Sequence, residues 1–394
     1  MKREGKKPLI IFLSILVITF SLLLLIEGSL RLFFPQPLYD QYSDGHPLHE
    51  PFGQYDKEIG WVPKEEYSVL ERTPTSPYGL VRISHSRGFR GGLNLTGKPI
   101  IYLSGDSMVY SAYVDDSDTV SEKLKELIGD KYDIINGGSS SYGTDLSLLR
   151  YMRIRKQFHP AIVVHFGYPN DLSDNLNTWS GSFAKPKFSL TTDSSDMHQL
   201  FYLDSTSKLV YPDSDVPFVQ KKRKMPSSVD GWLGAHSEFY TLIRVAFADH
   251  NYNFTDDGGD AYYWSTRPVW SVKMKYAFFF NAMLLEEYHK RVEEDNTTFI
   301  LLEVPHKIIV DPIMQKNLIR VNGPLNFTKV YDYEKLFAVE EGFNYYDLMP
   351  AFVAGGKELY LDRNTHMNPE GLSVLAREVQ KAVELYAPAS QNSE

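Results

Sequence analysis

Hydrophobic positions along the chain follow three different rhythms. The first is an unbroken run, Pro8–Ile26 (PLIIFLSILVITFSLLLLI), which carries no charge. At ~1.5 Å per residue its roughly 19 residues span about 28 Å, close to the ~30 Å hydrocarbon thickness of a bilayer. A helix apolar on every face has no side to give to water, so the run predicts a membrane span. In the second stretch, residues 33–97, Pro, Gly, Tyr and His are frequent and periodicity is slight. The third begins at Lys98, where short apolar runs alternate with helical spacing. Pro99–Ser104, Tyr132–Asn136, Ala161–Gly167, Thr298–Val304 and Asn344–Leu348 predict strands. Thr119–Ile128, Asp145–Phe158, Ser271–Glu294, Tyr333–Glu341 and Pro369–Leu385 predict helices. Strands this continuously apolar suit a sheet covered on both faces. Their alternation with helices predicts an α/β domain around a parallel sheet. Residues 172–268, rich in Ser, Asp, Pro and aromatics, break the rhythm and predict an insertion.

Charge orients the apolar run. Lys2, Arg3, Lys6 and Lys7 precede it against Glu4 alone. The basic side is expected to stay in the cytoplasm, and the chain from Arg31 onward to face out, in the periplasm or at the cell surface. Signal-peptide apolar regions are usually ~7–15 residues and end at an A-x-A-like site. This run is longer and has no such site, so an uncleaved anchor is expected, with the lipid bilayer as a partner. The expected organisation is a cytoplasmic tip and anchor (1–28), a juxtamembrane extension (29–97) and a domain at 98–394 carrying the insertion.

Composition narrows the function classes. The 394 residues are 43% hydrophobic and 23% charged, a globular balance that allows a large core. A net charge of -9 argues against a nucleic-acid partner. The absence of cysteine removes disulfides, thiol catalysis and thiolate metal sites. His46 and His49 beside Glu50 have no helix to set them as ligands, so no metal and no cofactor is expected. The run Lys221-Lys222-Arg223-Lys224 predicts a solvated loop. Asn94, Asn253, Asn296 and Asn326 head N-x-Ser/Thr sequons, which matter only where exported proteins are glycosylated. Gly-x-Ser-x-Gly, Walker A and Gly-x-Gly-x-x-Gly patterns are missing.

Open parallel sheets bind ligands at the carboxyl ends of their strands. The first strand ends in Gly105-Asp106-Ser107, which places a hydroxyl on a strand-to-helix turn. The second ends in Asn136-Gly137-Gly138-Ser139-Ser140-Ser141-Tyr142-Gly143, a small-residue loop able to present backbone N–H groups. The third ends in Gly167-Tyr168-Pro169-Asn170-Asp171, where an Asn amide is a neutral donor. Near the C-terminus, Asp362-Arg363-Asn364-Thr365-His366 precedes a Pro-led helix and has the form of a base with its orienter. Each piece alone is common in plain turns; their ordered occurrence at strand ends is not.

In these blocks the chain resembles the SGNH (GDSL-like) hydrolase family, over roughly Lys98–Asp171 and Phe343–Leu385, with a fainter likeness in Arg87-Gly88-Phe89-Arg90-Gly91. The resemblance implies a flavodoxin-like, doubly wound, five-stranded sheet. It implies Ser107 as nucleophile, His366 as general base and Asp362 as its orienter. It implies an oxyanion hole made by the Ser107 and Ser141 backbone N–H groups and the Asn170 side chain. The chain departs from the family pattern at Ser141, where Gly is usual, at Tyr168, where Gly usually stands two places before the Asn, and at Arg363, since Asp362 lies four residues before His366 rather than three. The activity implied is that of a serine esterase acting on acyl, above all O-acetyl, esters of an envelope glycan or lipid. An O-acyltransferase uses the same residues, and a non-catalytic envelope binding protein is the alternative outside enzymes.

Overall fold

The computed structural model describes residues 6–33, 53–72, 80–180, 183–191, 208–212, 216, 233, 236–240, 242–243, 261–361 and 364–387. His46, His49, the run Lys221–Lys224, Asn253 and Asp362 lie outside the described residues. The chain divides into two units, Met1–Pro47 with Lys222–Tyr252, and Leu48–Lys221 with Asn253–Glu394.

The first unit is built on helix α1, Lys6–Phe33. Its segment Ile10–Phe33 has a mean hydropathy of 2.7, has no fully buried residue in its apolar stretch, and is long and apolar enough to cross a membrane. Val17, Phe20 and Leu25 stand exposed along it, a surface that needs an apolar surrounding. Near its end the Glu27 carboxylate accepts from the backbone N–H groups of Glu238 (3.0 Å) and Phe239 (3.1 Å) and from the Ser237 hydroxyl (3.0 Å). Arg31 donates to the His236 carbonyl at 2.7 Å. Part of the predicted insertion therefore meets the end of α1.

The second unit holds a five-stranded sheet of β1 (Ile100–Gly105), β2 (Asp133–Asn136), β3 (Ile162–Gly167), β4 (Thr298–Glu303) and β5 (Asn344–Tyr346). The order is β5-β4-β3-β1-β2 and every pair is parallel. This is the doubly wound sheet that the resemblance implies. Alternate residues of each strand serve opposite faces, because successive side chains in a strand point to opposite sides. Ile101, Leu103, Ile134, Val164, Ile300 and Leu302 pack with α2 (Val120–Ile128) and α6 (Pro369–Tyr386). Tyr102, Ile135, Val163, Phe299 and Leu301 pack with α3 (Thr144–Phe158) and α4 (Val272–Glu293). A buried Ile, Leu or Phe contributes ~1.5–3 kcal/mol relative to exposure, which explains why these runs carry so few polar residues.

The helices begin where their caps dictate. Thr119 accepts from the Glu122 N–H (3.3 Å), Ser271 from Met274 (3.2 Å) and Asn368 from Gly371 (2.9 Å), the last with Pro369 in the first turn. Helix α5, Lys329–Glu340, starts a turn before the expected Tyr333, with Val330 and Tyr331 buried in its first turn.

Residues 53–72 and 80–90, expected to show little periodicity, form strands. Gly53–Asp56 pairs with Gly60–Pro63, and Glu66–Arg72, Leu80–Ser86 and Phe89–Arg90 make a three-stranded antiparallel sheet. Of the predicted insertion, small strand pairs at Trp179–Ser180 with Phe183–Ala184 and Ser189–Leu190 with Leu209–Val210 are described, with a short helix at Ala261–Ser265. Lys185 fixes the first of these to the core. Its buried ammonium lies 2.5 Å from the Asp145 carboxylate of α3 and 2.5 Å from the Asp174 carbonyl. Burial raises the Asp145 carboxyl, against the pull of that ammonium.

In the order β5-β4-β3-β1-β2 the connection after β1 runs one way, to β2, and the connection after β3 runs the other way, to β4. The crevice this opens lies at the carboxyl ends of β1 and β3.

Candidate active site

The turn after β1 is shaped by its first two residues. Gly105 has φ +154, and a Cβ there would lie 2.7 Å from Val109 Cγ2 and 2.9 Å from the Phe166 carbonyl oxygen, so only glycine fits. Asp106 caps the one-turn helix Ser107–Tyr110 by accepting the Met108 N–H at 2.8 Å. Ser107 is thereby carried to the end of the sheet, partly exposed.

The loop after β2 passes directly behind this turn. A Cβ on Gly138 would run into the backbone of Val109 and Tyr110. Ser141 has φ +58, the left-handed region, and its carbonyl accepts from the Ser180 hydroxyl at 2.6 Å. A serine thus occupies the conformation that glycine adopts without cost; strain of this kind costs on the order of 1–3 kcal/mol.

After β3, Asn170 reaches back toward the nucleophile turn. Its amide nitrogen donates to Asp106 at 3.3 Å and to Asp174 at 2.9 Å. Its Oδ1 is buried and accepts no hydrogen bond from the described residues.

His366 closes the constellation. Its loop is pinned by the Leu361 N–H donating to the His366 carbonyl (2.9 Å) and by a bridge between Tyr360 and Met367. His366 Nε2 lies 2.8 Å from Ser107 Oγ across 259 positions of sequence. Its Nδ1 lies 2.6 Å from Asn364 Oδ1. The Tyr113 ring stands edge-on to the imidazole, with centroids 4.9 Å apart and planes at 75°. Burial pushes the His366 ring down to about 4, so it is neutral at ordinary pH.

The structure brings Ser107 and His366 together, sets Asn170 against the neighbour of Ser107, and puts Ser141 in a left-handed turn behind. Sequence patterns missed Asn364 and Tyr113. Tyr113 has φ +73 and Ser111 φ +56, a local strain that no motif announces. His306, just past β4, was also missed, although its place at a strand end was a signal. It stacks on Tyr262 of the short helix Ala261–Ser265 (4.2 Å, 13°) and on Tyr168 (5.8 Å, 19°). Its Nδ1 accepts from Ile308 (3.1 Å), and burial lowers it to about 3.

Beneath the nucleophile turn lies a group of buried acids. Burial pushes Asp106 up to about 6. It raises Asp171 much further, helped by the neighbouring Asp106, Asp174 and Glu303. Glu303, at the end of β4, is raised well above the carboxylate range by burial and by Glu334 of α5, and burial lifts Glu334 to about 8. Two carboxyls that meet out of water cannot both ionise, so this pair shares a proton. Among the described residues no group of three or more His, Asp or Glu is arranged to hold a metal ion.

No protein-family model and no curated protein matches the chain. Solved structures similar to it include TesA, at 11% identity over 73% of this chain and 98% of that one, with a TM-score of 0.36. Another is the psychrotrophic esterase EstA from Pseudoalteromonas sp., inhibited by monoethylphosphonate, at 10% identity over 73% and 98% with a TM-score of 0.36. A third is a lipase/acylhydrolase from Enterococcus faecalis, at 13% identity over 73% and 95% with a TM-score of 0.35.

Proposed function

We propose that the chain is a membrane-anchored serine hydrolase of the SGNH type that cleaves acyl esters, with Ser107 as nucleophile and His366 as general base. The observation that supports this most is the 2.8 Å approach of His366 Nε2 to Ser107 Oγ at the carboxyl end of β1. A neutral imidazole at that distance takes the hydroxyl proton as Oγ attacks the ester carbonyl carbon. The carbonyl π electrons move to oxygen. The backbone N–H groups of Ser107 and Ser141 and the Asn170 amide are the donors to that oxyanion. Asn170 makes one amide hydrogen available by giving up its long 3.3 Å bond to Asp106. Collapse expels the alcohol, which takes its proton from His366, and water repeats the sequence on the acyl-enzyme. The resemblance assigns the orienting of the base to Asp362.

The substrate class is an acyl ester, O-acetyl first, on an envelope glycan or lipid outside the cytoplasm. Support comes from the apolar helix Ile10–Phe33 and the basic residues that precede it. The test is labelling of the detergent-purified full chain with a fluorophosphonate, together with hydrolysis of p-nitrophenyl acetate. Ser107→Ala is expected to lose both. Wild-type hydrolysis by that variant would overturn the proposal.

A further inference from the structure

A neutral imidazole carries its proton on only one of two nitrogens, and a base for Ser107 needs Nε2 bare. Asn364 decides which nitrogen that is. The backbone N–H of His366 points at the side-chain terminus of Asn364, 3.0 Å from Oδ1. A backbone N–H can only donate, so the atom it meets is the amide oxygen and not the amide nitrogen. The same oxygen lies 2.6 Å from His366 Nδ1. An amide oxygen can only accept, so Nδ1 holds the proton. Nε2 is left with its lone pair facing the Ser107 hydroxyl at 2.8 Å.

From this chain of donors and acceptors we infer that Asn364 is the positioning residue of the base, fixing the tautomer and the ring plane of His366 with a neutral amide where a serine triad usually has a carboxylate. The inference rests on the reading of Ser107 and His366 as nucleophile and base. The surroundings suit the role. The Asn364 N–H donates to the Leu361 carbonyl at 3.3 Å, and that carbonyl also accepts from the buried Lys307 ammonium at 2.6 Å. Tyr113 packs edge-on against the ring. Turning the ring over would point carbons at both Asn364 and Ser107, which loses both hydrogen bonds. Among the described residues the partner of Nδ1 is this amide dipole, which orients the base without raising its proton affinity as a carboxylate at the same place would.

The test uses the full chain, p-nitrophenyl acetate and four variants. Asn364→Ala is expected to lower kcat by at least about tenfold, up to the ~10⁴-fold that a wrong tautomer costs a Ser-His-Asp triad, with KM little changed. Asn364→Asp keeps an acceptor at Nδ1. It is expected to recover most of that loss while moving the acid limb of the pH profile of kcat/KM upward, because a carboxylate beside the ring favours the imidazolium. Asp362→Asn is expected to cost less than Asn364→Ala. Near-wild-type kcat in folded Asn364→Ala, or an acid limb unmoved in Asn364→Asp, would overturn the assignment. If Ser107→Ala is inactive while Asn364→Ala is not impaired, only this inference fails. Turnover by Ser107→Ala would remove the nucleophile itself.

Discussion

Activity should persist to unusually low pH for a histidine base. His366 serves only while Nε2 is unprotonated. Its ring lies partly buried against Tyr113, with Ser107 and Asn364 at its nitrogens and His306 and Lys307 near its loop. Burial lowers it from 6.5 to about 4. A lowered value keeps the neutral form populated further into acid, so activity is complete above about pH 5 and is lost as pH falls through about 4. At about pH 5 the neutral fraction is roughly 0.9 for a value near 4 and roughly 0.03 for an unperturbed imidazole near 6.5, about a thirtyfold difference. The assay is kcat/KM for a chromogenic acyl ester from about pH 4 to 8, with circular dichroism on the same samples to show that the fold is intact. A fall to a few per cent of the plateau at about pH 5, in folded protein, would refute the reasoning.

Other outcomes follow from the same geometry. Ser107→Ala should abolish turnover and His366→Ala should cost nearly as much, since an unassisted hydroxyl is a poor nucleophile; initial rates on folded variants check the ranking. Asn170→Ala should fall between these and Asp362→Asn, at about 100- to 1000-fold in kcat, the usual cost of one oxyanion donor. Lys185→Met leaves the Asp145 carboxyl buried without its cation, and urea unfolding should show a loss of about 3 kcal/mol at neutral pH, shrinking in acid as the carboxyl takes a proton. A C-terminal tag should be digested by protease once the outer barrier is opened; continued protection would contradict an outward-facing domain.

The sheet was legible because its strands are buried on both faces. Ile101 to Leu103, Ile162 to Val164 and Phe299 to Leu302 leave no room for polar residues, and their order fixes which loops meet at the switch point. Glu66–Arg72 was not legible. Tyr67 and Val69 turn inward, but Leu70 is 54% exposed, so the alternation never shows as apolar against polar. The helix Pro312–Asn322 was missed despite Asp311 capping it at 3.0 Å with Pro312 beside it, because its apolar positions Ile313 and Ile319 face outward. In the site, Ser107 and His366 were readable from strand ends. Asn364 was not: its place at Nδ1 depends on how the loop folds back on Leu361, and attention falls naturally on the nearby acid. Tyr113 was hidden for a different reason, since its left-handed backbone, φ +73, is one that a bulky residue seldom adopts and that no local preference announces.

The Glu303–Glu334 pair makes a proton part of the folded molecule. Both carboxyls ionise freely in the unfolded chain above about 4.5, whereas burial and their mutual repulsion hold a proton on the folded pair well above that value. Folding at neutral pH therefore draws a hydrogen ion from the medium, and unfolding returns it. The contribution is whole below the unfolded value and drains away as pH climbs toward the folded one. Alkali then acts on this protein as a mild denaturant. The heat of its unfolding also includes the ionisation heat of whatever buffer accepts the proton, and so changes when the buffer is exchanged at constant pH.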